Sequence, residues 1–185
     1  MRIFVNYRTN DEANTALLAT RHLSERIGER NVFLDHRSIG PGTLFDDAVM
    51  RNLWRSDVLV AIMGERWLEF PGHAGGRAID DPRDWIHKEI AEALTHRVRV
   101  VPLLVGAVAL PREEELPEPL KDLVRHRYIV LERRVPQSAF DRLDQLLDLP
   151  TPDGGDEPRR RGNVTDARGC VHLGDWVDRR GKGKR

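Results

Sequence analysis

Five short runs of apolar, β-forming residues punctuate this chain. They are Arg2 to Asn6 (RIFVN), Asn31 to Leu34 (NVFL), Asp57 to Met63 (DVLVAIM), Val98 to Val105 (VRVVPLLV) and Tyr128 to Leu131 (YIVL). Near-continuous apolar runs of this length read as strands covered on both faces, the pattern of a parallel sheet. Between them apolar residues return at helical spacing. Ala13, Ala16, Leu17, Thr20, Leu23 and Ile27 form one inward stripe, with Gly28 as its stop. Leu44 to Trp54 predicts a short helix, Asp84 to about His96 a second, and Ala139 to Leu147 the last. Residues 106 to 126 read as a Pro- and Glu-rich loop with a short helix near Leu120. Pro102 predicts a bulge or strand end in the fourth run, and the fifth run is expected at a sheet edge. Strands alternating with helices give an α/β fold with a doubly wound, five-stranded parallel sheet. Ligands of such sheets bind beyond the carboxyl ends of the strands, which here include Tyr7-Arg8-Thr9-Asn10-Asp11.

A length of 185 residues suits one domain, residues 1–149, with an appendage. Residues 150–185 open on Pro150-Thr151-Pro152-Asp153-Gly154-Gly155 as a linker. They then carry 159-RRRG-162, a patch around Cys170-Val171-His172-Leu173 with Trp176, and a basic end. Few apolar groups stand there, so the tail is expected to be flexible or to bind an activating protein partner. Lys plus Arg and Asp plus Glu number 30 each, which gives no support to a nucleic-acid partner. A single cysteine excludes an internal disulfide and the usual zinc clusters, and Cys170 itself reads as inert. The opening MRIFVNYRTN has no signal-peptide character, and no apolar run approaches the ~18 residues of a membrane span. The expectation is a cytoplasmic protein with no membrane contact. The sequon at Asn163-Val164-Thr165 is therefore discounted.

The stretch Asp84-Trp85-Ile86-His87-Lys88-Glu89-Ile90 carries the most chemistry. Pro82 precedes a helix start and Asp84 places negative charge on its positive end. Ile86, Ile90, Ala93 and Leu94 mark the buried stripe. Trp85 and Glu89, four apart, stack about a quarter turn from it, at roughly 100° per residue. No Lys or Arg lies three or four residues from Glu89, so an ordinary helix ion pair does not explain it. A solvated Glu beside a core Trp remains the plain alternative, and spacing leaves both open. His73 and His87 have no second ligand at metal spacing and read as solvated histidines, so no metal is expected.

Several functions of five-unit α/β sheets are disfavoured. A phospho-receiver needs an acidic pair after the first strand and an Asp after the third. Asn6-Tyr7 and Met63-Gly64 stand there instead. The loop Arg8-Thr9-Asn10-Asp11 does not resemble a flavin phosphate cradle, and neither a P-loop nor GxGxxG occurs.

Three segments in order resemble the TIR (Toll/interleukin-1 receptor) family. WIHKEIAEAL resembles the helix whose Trp-x-x-x-Glu pair carries the catalytic glutamate of NAD+-cleaving members, here Trp85 and Glu89. Phe4-Val5-Asn6-Tyr7-Arg8-Thr9-Asn10-Asp11 resembles the opening motif aromatic-Val-Ser-Tyr-x-x-x-Asp, with Asn6 in place of Ser. Val32-Phe33-Leu34-Asp35 with Ile39, Gly42 and Phe45 resembles the approach to the family's BB loop, although Arg37 stands where many relatives are acidic. The resemblance spans roughly residues 1 to 148 and implies a flavodoxin-like TIR fold with a C-terminal tail. It further implies NAD+ as substrate, no cofactor, and cleavage of the nicotinamide–ribose bond to ADP-ribose or a cyclic isomer. Such cleavage passes through an oxocarbenium-like state that a carboxylate stabilises, and Glu89 is the catalytic candidate. Substrate-binding candidates are Tyr7, Arg8, Thr9, Arg37, Ser38 and Trp85. Arg8 would grip a phosphate bidentately, with an exposed surface arginine as its alternative, and Arg37 and Ser38 would face the nucleotide, a neighbouring subunit or solvent. Trp85 would wall the site or pack in the core, and Thr9 and Asp11 have helix capping as their alternative. The loop from Asp35 to Thr43 is expected to mediate activating self-association, in bacterial antiphage defence. A non-catalytic adaptor that binds other TIR domains is the alternative.

Overall fold

The computed structural model describes residues 1–34, 46–73, 75–133 and 136–150. The expectations for Arg37, Ser38, the loop from 35 to 43 and the tail beyond Pro150 lie outside the described residues. Five parallel strands form one sheet: β1 (Ile3–Tyr7), β2 (Val32–Leu34), β3 (Val58–Met63), β4 (Arg99–Val105) and β5 (Ile129–Leu131), in the order β2-β1-β3-β4-β5. The fifth run is thus an edge, as expected. The helices are α1 (Thr9–Ile27), α2 (Asp46–Trp54), α3 (Trp85–Thr95) and α4 (Pro136–Leu147). The short helix expected near Leu120 is the 3-10 helix Glu118–Arg125, and a further 3-10 turn at Glu113–Glu115 precedes it.

Strand alternation sorts the core into two layers. Ile3 and Val5 of β1, Val58, Val60 and Ile62 of β3, and Val101, Leu103 and Val105 of β4 meet Ala16, Ala19 and Leu23 of α1 and Phe140 and Leu143 of α4. Phe4, then Leu59, Ala61 and Met63, then Val100 and Leu104, meet Val49 and Leu53 of α2 and Ile86, Ile90 and Ala93 of α3 on the other face. All six residues of β3 are buried, because helices cover it on both sides.

Two local expectations fail for physical reasons. Pro102 lies inside regular β4, opposite Ala61, with no bulge or strand end. Only β3 runs beside it there, since β5 joins at Leu103. The α1 stripe holds only in part: Ala16, Leu23 and Ile27 pack inward as expected. Leu17 and Leu18 are 55% and 52% exposed, while Glu12, Thr15 and His22 are buried with Ala16, Ala19 and Leu23. The small residues Ala16 and Ala19 and the polar Glu12, Thr15 and His22 take the buried side, which turns Leu17 outward. Polar anchors then fix that face. Glu12 accepts from Thr15 Oγ1 and Arg133 Nη2, both at 2.6 Å. Asp144 of α4 holds His22 at 2.8 Å and Arg26 at 2.7 Å, and the His22 ring stacks on Phe140. Gly28 stops α1 as expected, with a φ of 86° and its N–H donated to the Ser24 carbonyl.

Candidate functional site

The site is assembled where β1 ends beside the start of α3. Phe4 faces the α2/α3 layer, so by alternation Asn6 does too. Asn6 is buried, and its Nδ2 donates to Glu89 Oε2 at 2.6 Å. Glu89 is 0% exposed. The solvated Glu that spacing allowed is therefore not what the fold makes. The buried face of α3 is wide, taking in Ile86, His87, Glu89, Ile90 and Ala93, so a residue a quarter turn from the stripe is still enclosed. Enclosing a carboxyl group is costly unless donors replace its water, and Asn6 supplies such a donor at 2.6 Å.

Helix α3 starts sharply. Asp84 has extended backbone and its Oδ1 accepts from the His87 amide at 3.2 Å, a side-chain cap on the first turn. The same carboxylate receives Arg8 bidentately, Nη1 to Oδ2 and Nη2 to Oδ1, each at 3.0 Å. The Arg8 guanidinium also lies 4.6 Å from the Phe70 ring centre. Arg8 is thus neither a solvent-exposed arginine nor a guanidinium held open for a phosphate.

The remaining candidates are placed as follows. Tyr7 packs against the α1/α4 layer, on the opposite sheet face from Glu89, so the structure does not bring those two together. Thr9 is exposed at the first turn of α1. Neither Thr9 nor Asp11 caps that helix. Its N-cap position is Arg8, without a side-chain cap, and Asp11 instead accepts from the amides of Gly64 at 3.0 Å and Arg66 at 3.1 Å. Asp11 thereby ties the turn after β1 to the end of β3. Trp85 is half-buried, with Lys88 Nζ 4.5 Å from its ring centre, so it walls the edge of α3 instead of filling the core. Among the described residues the fully buried tryptophan is Trp67. His87 is buried, not solvated, and its Nδ1 lies 2.7 Å from the Ile79 carbonyl, while His73 is exposed as expected. Among the described residues no three His, Cys, Asp or Glu side chains cluster as a metal site, and no helix is long and apolar enough to cross a membrane.

Asn6, Asp84 and Phe70 are the site residues that sequence reasoning did not single out for their roles. For Asn6 a signal existed: it is the polar residue of an apolar strand and shares the parity of Phe4. Nothing local pairs Asp84 with Arg8.

Comparison with known proteins adds three findings. The TIR domain family matches residues 3–147. The Drosophila melanogaster protein NAD(+) hydrolase sarm1 is 24% identical over 147 residues, 78% of this chain. The match spans only 10% of that relative's length. Among solved structures, the TIR domains of the activated Roq1 resistosome align at 13% identity over 79% of this chain and 76% of the other, with a TM-score of 0.43. A TIR-STING receptor from C. gigas aligns at 19% identity over 75% of this chain and 38% of the other, with a TM-score of 0.45.

Proposed function

The chain belongs to the TIR domain family, and we propose that it is an NAD+ glycohydrolase with Glu89 as its catalytic carboxylate. One observation carries the reading: the Glu of the Trp-x-x-x-Glu pair is enclosed at the carboxyl end of β1 and held by Asn6 at 2.6 Å. The distant likeness to a protein named an NAD(+) hydrolase supports it. In the proposed reaction the bond from ribose C1′ to the pyridinium nitrogen breaks, and its electron pair leaves with nicotinamide. The ribosyl cation is stabilised by the Glu89 carboxylate. Water then adds at C1′ and loses a proton, giving ADP-ribose, or an adenine nitrogen closes a cyclic isomer.

The enclosure of Glu89 adds a requirement, since NAD+ reaches it only after the site opens. Activation by self-association through TIR–TIR contacts meets that requirement, with the segment 35–43 as the proposed contact. The proposed setting is bacterial antiphage defence in the cytoplasm. The same enclosure also favours a second reading, in which the chain is an adaptor whose buried glutamate is structural. Nicotinamide release decides between them. The glycohydrolase releases nicotinamide, and its turnover per molecule rises across a hundred-fold concentration series (that is, about 10²) as light scattering reports assembly. No release at any concentration sinks the enzyme reading.

A further inference from the structure

We propose that Arg8 is a positioning residue for Glu89 and not a ligand of substrate phosphate: with Asp84 it latches the first turn of α3 onto the end of β1. The inference rests on the catalytic reading of Glu89. Arg8 continues the extended backbone of β1, with φ −94° and ψ 120°, so strand parity runs on one residue past Tyr7. Asn6 and Arg8 therefore reach the same layer while Tyr7 turns to the other. Their partners, Glu89 and Asp84, stand five residues apart on the neighbouring chain segment. Two residues of strand advance about 6.6 Å, and five residues of helix rise about 7.5 Å. The two spacings nearly match, so both contacts form at once with strand and helix running in opposite directions. Packing of Ile86, Ile90 and Ala93 already holds α3 on the sheet, and the contact at Glu89 adds one polar tie beyond its first turn. The second, at Asp84, ties the first turn itself, and with it the direction of the carboxylate.

Arg8 has little left with which to hold a phosphate. Both terminal nitrogens bind Asp84, the side chain is 8% exposed, and Phe70 covers the guanidinium. Its Nε is buried with no hydrogen-bond partner among the described residues, closed off from a ligand as well. Asp84 is committed in the same way, since its Oδ1 serves the His87 amide and Arg8 together.

The test compares Arg8→Lys, which cannot span both carboxylate oxygens, with Asp84→Asn, their double variant, and the exchange Arg8→Asp/Asp84→Arg. Ala139→Gly in the opposite layer controls for general loss of stability. Steady-state nicotinamide release is measured with NAD+. Each single variant is expected to lower kcat on the order of tenfold or more with KM nearly unchanged. The double variant is expected to be no worse than either single, because both break one contact. The exchange is expected to recover part of kcat. Amide hydrogen exchange at His87 and Lys88 accelerates in both single variants and not in Ala139→Gly. A raised KM in Arg8→Lys alone, with Asp84→Asn like the parent, would show a phosphate ligand and overturn the proposal. Unchanged exchange at His87 and Lys88 overturns the latch as well. If the parent releases no nicotinamide, the catalytic reading of Glu89 fails separately, while hydrogen exchange still decides whether the latch exists.

Discussion

The two faces of the sheet each bury polar groups, and they use them differently. On the α1/α4 face, Asp144 gathers His22 and Arg26, and Glu12 gathers Thr15 and Arg133. These groups join α1 to α4 and to the end of β5. On the α2/α3 face, Asn6 holds Glu89 and Arg8 holds Asp84, so a helix is tied to the end of a strand. That strand end is where a parallel sheet presents its crevice. Polar burial alone therefore does not mark a site, because the Asp144 pairs join two helices and the Glu12–Arg133 pair ties α1 to the chain just past β5. A carboxylate held by a strand's terminal carboxamide, at the sheet's carboxyl edge, has a position from which chemistry can be done.

The contrast is broken most severely at Glu89. Glu89→Gln keeps the size of the side chain and an oxygen to accept from Asn6, yet removes the charge. Nicotinamide release should fall by at least about a hundred-fold, near the cost of removing a transition-state stabiliser, with the denaturation midpoint little changed. Glu89→Ala should lose as much activity and also some stability, since the enclosed Asn6 amide loses its acceptor, at a cost of about 1–3 kcal/mol. Parental turnover in either variant would end the catalytic assignment.

Gly64→Ala probes the joint between the end of β3 and the first turn of α1. A Cβ there would stand 2.5 Å from Glu12 Cγ and 2.6 Å from the Asp11 carboxylate oxygens, inside any permitted contact. Urea unfolding should show a loss of about 1–3 kcal/mol, the usual cost of overpacking. Asp144→Ala strips His22 and Arg26 of their shared carboxylate. The groups are about a tenth exposed, at 10%, 12% and 13% for His22, Arg26 and Asp144, so a loss of about 1–3 kcal/mol is expected, short of the full cost for a dry pair. Turnover measured well below the melting temperature should stay near parental, and a selective loss of kcat there would erase the distinction between the faces.

The smallest effect is a titration. Burial holds His126 below its ordinary value of 6.5, ahead of the opposing pull of Asp122 and the further lowering by Arg99. The folded state then prefers the neutral ring. Its contribution is intact above pH 6.5 and is lost as pH falls through the depressed folded value. The midpoint difference between the parent and His126→Gln should therefore shift slightly between pH 7.5 and pH 5, read by urea titration at both.

How much was legible in advance follows from the range of each interaction. The strands were readable because burial on both faces leaves their sequences apolar without interruption, and Gly28 announced its own helix stop. The α1 face was legible in part: Ala16, Leu23 and Ile27 pack inward as the spacing predicts, while Leu17 is exposed because Glu12, Thr15 and His22 find polar partners on the buried side. The Trp85/Glu89 pair was visible as a helix spacing. Its enclosure was not, since the contact with Asn6 spans 83 residues and that of Arg8 with Asp84 spans 76. Local periodicity carries no information about partners so distant. Arg8 was consequently read as a free guanidinium and His87 as a solvated ring.

The alternation of Asn6, Tyr7 and Arg8 between the two layers has a consequence for how this segment can vary over generations. A side chain may be exchanged in place, because its neighbours keep their headings. A gain or loss of a single residue in the strand before Asn6 would turn the carboxamide and guanidinium toward α1 and α4 and aim the tyrosine at the α2/α3 layer. Mutagenesis libraries across residues 3–8 should thus recover point variants and almost no length variants. Homologous chains should keep the count of residues from the first strand to this arginine position more strictly than they keep the residues themselves.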